Sequence, residues 1–166
     1  MTATTFRQDV PQRRWWARPK PARCHHDRPA EILEVLQQAR AIVEAGWLRN
    51  GWTAPRSVGP TGEGAVSACV VGAVAVAVRN RDPRADLAVD TAPAIAFVWD
   101  AVFAGPAGHA VGRAAPRGVR LARMRELARW NDQRGRTRDD VVAVLDRAAA
   151  RVVARVVDTA VEPARV

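Results

Sequence analysis

The sequence predicts a mainly α-helical fold, a compact single-domain bundle of about five helices. Three observations carry that expectation. Apolar side chains recur at helical spacing in several separate segments, helix-starting and helix-ending residues bracket those segments, and no run shows the alternation of a half-buried strand. A chain of 166 residues is also long enough to bury a core of its own. The expected division is a flexible basic arm over residues 1–28 and a helical domain over 29–160.

The arm mixes prolines with a strong positive charge and has no apolar period, so little binds it together. The paired indoles of Trp15 and Trp16 are the exception, expected to dock on the domain or meet a partner. The first helix is expected from Asp27 or Arg28, with Pro29 in its first turn and Glu31 and Glu34 near the positive end of its dipole. Ile32, Leu36, Ala39 and Val43 form its apolar stripe, widened by Val35 and Ile42, and Gly46 can end it. Residues 46–67 hold five glycines, two prolines and two tryptophans, which reads as a long irregular loop.

"ACVVGAVAVAV", residues 68–78, is apolar on every side and so reads as a buried element. Valine favours a strand, but the Ala and Gly content, and the want of a second strand to pair with, favour a central helix. A short helix follows from Pro93 to Phe103, closed by Gly105 and Pro106. Another is expected over 117–129, with Leu121, Met124, Leu127 and Ala128 on one arc. The last runs from Arg138 to about Asp158, burying Val141, Val144, Leu145, Ala148 and Val152.

Charge location is more informative than the net charge of +9. Residues 1–28 hold seven basic and two acidic side chains, residues 113–138 hold nine and two, and the remainder sums to −3. Of the 26 basic residues only Lys20 is a lysine, a bias expected of GC-rich coding, which weakens arginine content as a sign of nucleic-acid binding. No window reaches the roughly 18 consecutive apolar residues of a membrane span. The N-terminus lacks the apolar stretch of a secretory signal, so a cytoplasmic protein is expected. Two cysteines, Cys24 and Cys69, make no disulfide framework and are expected to be free thiols.

"WNDQRGRT", residues 130–137, packs polar groups beside one Trp between two expected helices. Each residue has a structural use. Thr137 is a good N-cap with Asp140 three residues later, Gly135 can take the positive φ of a reversal, Asn131 and Asp132 can bind local amides, and Trp130 can cap the core. The same residues suit a pocket mouth, with Asp132 as base, and Asn131, Arg134, Arg136 and the helix start at Thr137 gripping an anion. Cys69 stands near an expected helix start if Ser67 is its cap. It reads as a core thiol or as a nucleophile supported by His109 and Asp132. Cys24, His25, His26 and Asp27 have no metal-ligand spacing, and "GPAGHAVG" around His109 is no phosphate loop. No metal is expected, and nothing in the sequence identifies a cofactor.

Together, "NGWTA" (50–54), "ACVVGA" (68–73) and "WNDQRGRTRDDVVAVLDRAA" (130–149) resemble a family of small uncharacterised proteins of actinobacteria and their phages, a domain of unknown function. In that family a first helix leads to a Gly-Trp loop, a Cys-x-x-Gly-Ala helix, and a Trp-Asn-Asp turn with Gly-Arg-Thr opening the final helix. The resemblance spans roughly residues 29–150. It implies a helical domain and marks Trp52, Cys69, Gly72, Trp130, Asn131, Asp132, Arg136 and Thr137 as family-typical, but it brings no activity. The chain departs from the pattern at "QRG", where a Pro-containing turn is common, and in its Arg- and Trp-rich arm.

Three functional classes follow. The leading one is a binding or accessory module for a small anionic ligand or a protein partner, with its polar site at the Trp-Asn-Asp turn and Trp52 and Trp130 beside it. The second is a small enzyme, of specialised metabolism for instance, using Cys69, His109 and Asp132, or Asp132 alone as acid and base. The third binds nucleic acid or another anionic partner through the arm and residues 113–138.

Overall fold

The computed structural model describes residues 28–55, 66–104 and 115–161. The expectations for the arm, for Cys24 through Asp27 and for His109 fall outside these residues. In chain order the elements are α1 (Pro29–Ala45), β1 (Thr53–Pro55), β2 (Val66–Ala68), α2 (Val70–Arg81), a single turn α3 (Leu87–Asp90), α4 (Ala92–Trp99), a π-helical turn (Asp100–Ala104), α5 (Arg117–Asn131) and α6 (Arg138–Val161). The fold is mainly α, as the periodicity requires.

Helix α1 opens with Pro29 in its first turn and ends at Gly46, whose backbone is extended, with its N–H on the Ile42 carbonyl. Its stripe of Ile32, Val35, Leu36, Ala39 and Val43 is buried, and it packs most extensively on α6 and α2. The matching stripe of α6 is Val141, Val144, Leu145, Ala148 and Val152. Ala39 and Ala148 are fully buried near the middle of their stripes, where small side chains let helix axes approach. At the rim Arg40 reaches Asp146 at 2.7 Å and Glu44 at 2.8 Å. These exposed pairs contribute under about 1 kcal/mol each, so apolar burial holds α1 on α6.

Helix α4 is buried at every position from Ala92 to Val98, the mark of a helix enclosed by neighbours. It lies against α5, α6, α1 and α2. After Trp99 the winding loosens into the π-helical turn, a change that no residue pattern signals. The single turn α3, with Asp86 capping the Ala88 amide at 3.1 Å, is likewise additional to the expected elements.

Two expectations are corrected. Residues 46–67 are not irregular throughout, because Thr53–Pro55 pairs antiparallel with Val66–Ala68, Thr53 lying opposite Ala68. Trp47 also bridges to Ala68, the Leu48 N–H reaching the Ala68 carbonyl at 3.1 Å and the Ala68 N–H reaching the Gly46 carbonyl at 2.9 Å. The apolar run is therefore strand as far as Ala68 and helix only from Val70. Its cap is Cys69 rather than Ser67.

Candidate functional site

The end of α5 and the start of α6 are joined by a tight reversal. Asp132 closes α5, and Gly135 takes φ 83°, a conformation that costs a residue without Cβ nothing. Thr137 and Asp140 then form a reciprocal cap. The Thr137 N–H donates to the Asp140 carboxylate at 2.9 Å, and the Asp140 N–H donates to the Thr137 hydroxyl at 3.2 Å. These bonds hold the Asp140 carboxyl below its usual range, the Thr137 amide contributing most, the Thr137 hydroxyl next and the Arg136 and Arg147 charges less.

Asn131 is completely buried and spends its whole hydrogen-bonding capacity. Its Oδ1 accepts from the Trp47 indole N–H at 2.9 Å and from the Val70 N–H at 3.2 Å. Its Nδ2 donates to the Leu48 carbonyl at 3.0 Å and to Asp132 Oδ1 at 2.9 Å. Two donors and two acceptors are all a primary amide offers in such a setting. The same Asp132 oxygen accepts the Asn50 N–H at 2.9 Å, and Asn50 sits in the left-handed region with φ 55°. Asn tolerates that conformation better than most residues, and the Asp132 bond fixes it there.

Arginines close the reversal from both sides. Arg136 lies over the Trp130 ring with its guanidinium carbon 4.1 Å from the centroid, donates to the Trp130 carbonyl at 3.3 Å, and reaches Gln133 Oε1 at 2.7 Å. Arg49 lies over Trp47 at 5.1 Å and donates to the carbonyls of Gln133, at 3.2 Å, and Arg136. Cation–π contact and the turn carbonyls thus orient both guanidinium groups.

Cys69 is 2% exposed and caps α2, its sulfur accepting the Gly72 N–H at 3.3 Å. Burial pushes the thiol pKa up. The Gly72 and Val71 amides work against that rise, and the Asp132 charge adds to it. A reactive cysteine requires the reverse, a microenvironment that favours the thiolate. The first amides of α2 are turned to Cys69 and Asn131, so this helix start offers no open anion cradle. The Cys69 N–H in turn donates to the Trp52 carbonyl at 3.1 Å. Gly72 permits this approach, because a Cβ there would stand 1.8 Å from the Trp52 oxygen.

The structure therefore gathers Cys69, Gly72, Trp130, Asn131, Asp132, Arg136 and Thr137 in one region, joined by Trp47, Arg49 and Asn50, which sequence reasoning does not single out. The Asn50-Gly51 pair, a frequent turn dipeptide, is the available signal. Arg134 points outward at the tip of the reversal, and Trp52 is 54% exposed. Among the described residues no three His, Cys, Asp or Glu side chains are grouped to hold a metal, and no helix is long and apolar enough to cross a membrane.

Residues 27–151 match the family model described as "Family of unknown function (DUF6197)". The chain belongs to this family. The matched span takes in every residue of the interlocked region, from Trp47 to Asp140, and stops short of the last turns of α6. No curated protein and no solved structure matches the chain.

Proposed function

We propose that the protein is a cytoplasmic binding module, its domain spanning residues 29–160, which presents Trp52 on a loop fixed in advance to a protein partner. The observation that carries this reading is the pairing of a 54%-exposed indole with a loop whose backbone is bonded at Leu48, Asn50 and Trp52. A loop held this way loses little entropy on binding, and an exposed Trp is the side chain best suited to anchor an interface. The Trp-Asn-Asp turn is then the support of the binding surface, with its polar groups directed at the chain itself.

The rival enzymatic reading needs a thiolate at Cys69 or an unengaged carboxylate at Asp132. The raised thiol pKa and the two hydrogen bonds on Asp132 Oδ1 weigh against both. Selection of a displayed peptide library on the wild-type protein, with counter-screening on Trp52→Ala, tests the proposal. The expected result is a set of peptides that bind wild type and lose binding to the variant, while the melting temperature of the variant stays near that of wild type. Peptides indifferent to Trp52, or a Cys69 alkylated well below the ordinary thiol pKa of about 8.5, would refute it.

A further inference from the structure

We infer that the outward face of α5, with the adjoining reversal, binds the phosphate backbone of a nucleic acid, independently of the surface at Trp52. The placement of acidic groups, more than the number of arginines, sets this face apart. From Pro116 to Arg138 the exposed residues are arginines, small side chains, neutral polar groups and Val119, with no carboxylate among them. Both acids of this stretch are half-buried and engaged by the chain itself. Glu126 accepts the Trp99 indole N–H at 2.5 Å, and Asp132 holds Asn50 and Asn131.

Four exposed guanidinium groups remain, those of Arg117, Arg125, Arg129 and Arg134. Among the described residues none of the four has a hydrogen bond or an ion pair. Elsewhere arginines stand among acids. Arg40 and Arg81 meet carboxylates, the exposed Arg28, Arg79, Arg84 and Arg147 each lie within three residues of an Asp or Glu, and the exposed positions of α6 alternate Asp139, Asp140 and Asp146 with Arg147 and Arg155.

The spacing also suits a polyanion. Arg125 and Arg129 are one turn apart, about 6 Å along the axis, and Arg134 follows in the reversal just beyond the helix end. A duplex carries a charge every ~1.7 Å of its length, so several phosphates fall within reach of one such face. Gly118 and Ala122 share the outward face with Arg125 and Arg129, and the space beside Gly118 is open. No bulky side chain there would hold a backbone away from the guanidinium groups. Guanidinium groups engaged on phosphates carry no sequence information, so the expected binding is sequence-tolerant and sensitive to salt.

The test uses the full chain and fluorescence anisotropy of a labelled DNA duplex of about twenty base pairs, titrated between about 50 and 200 mM salt. The variant Arg125→Ala/Arg129→Ala/Arg134→Ala should weaken binding at least tenfold and make the log–log salt slope shallower by about 2.7, or about 0.9 for each phosphate no longer neutralised. Arg147→Ala on α6 should leave both unchanged. Circular dichroism melting of the triple variant should match wild type, which separates lost binding from lost folding. Unchanged affinity and slope in the triple variant would overturn the assignment. So would arginine-dependent binding to phosphatidylglycerol vesicles without duplex binding.

Discussion

Two neighbouring polar regions use the same residue types in opposite ways. At the reversal after α5, Asn131, Asp132, Arg49 and Arg136 direct their polar atoms at the chain's own backbone and rings. On the outward face of α5, Arg125 and Arg129, the latter half a turn before Asn131, direct theirs at solvent. A cluster of amide, carboxylate and guanidinium groups is therefore no evidence of chemistry until its hydrogen bonds are counted. Where they are consumed internally, the cluster is a clasp, and where they are left over, it is a surface available to a partner.

The sharpest way to break this contrast is to truncate residues two apart. Asn131→Ala leaves the Trp47 N–H, the Val70 N–H and the Leu48 carbonyl without their partner, and the expected loss is about 3–5 kcal/mol by chemical denaturation. Arg129→Ala should stay within about 0.5 kcal/mol of wild type. Similar losses from the two variants would erase the distinction.

Cys69 gives an intermediate effect with a defined sign. Its pKa is raised in the folded chain, mainly by burial, so its stabilising contribution is complete below the ordinary thiol pKa of about 8.5 and declines as pH rises above it. Between that pH and the folded pKa the unfolded chain ionises while the native chain does not. Denaturation midpoints of wild type should therefore fall relative to Cys69→Ala through the alkaline range. A rise would mean that the native state favours the thiolate, as a nucleophile requires.

The smallest effect belongs to the cap of α6. The Asp140 pKa is lowered chiefly by the Thr137 amide, so its contribution is present above the ordinary carboxylate pKa of about 3.9 and is lost as pH falls through the depressed folded value. Melting curves of wild type and Asp140→Asn should differ slightly at neutral pH and converge in acid. A difference that persists in acid would take the charge out of the account.

What can be read from the sequence is local. Pro29 opens α1 and Thr137 caps α6 through bonds within four residues, and the stripes of α1 and α6 follow the helical period. The pairing of β1 with β2 spans three residues on each side and joins segments separated by a glycine-rich stretch, so no alternation is long enough to announce it. The cap at Cys69 depends on that strand, because the sulfur meets Gly72 only if β2 stops at Ala68. Trp47 reaches Asn131 across 84 positions, and Arg49 reaches the reversal over a similar span. Such partners become visible only when α1, α2 and α5 are packed together. Asn131 and Asp132 can thus be picked out as important from the sequence, while their use as a clasp cannot.

The most direct test is native-state hydrogen exchange at the Asn50 amide, which belongs to a surface loop yet donates to Asp132 Oδ1. The expected result is protection comparable to that of the first amides of α2, abolished in Asp132→Ala and retained in Arg129→Ala. An Asn50 amide that exchanges in wild type as fast as that of Arg134, at the open tip of the reversal, would contradict it.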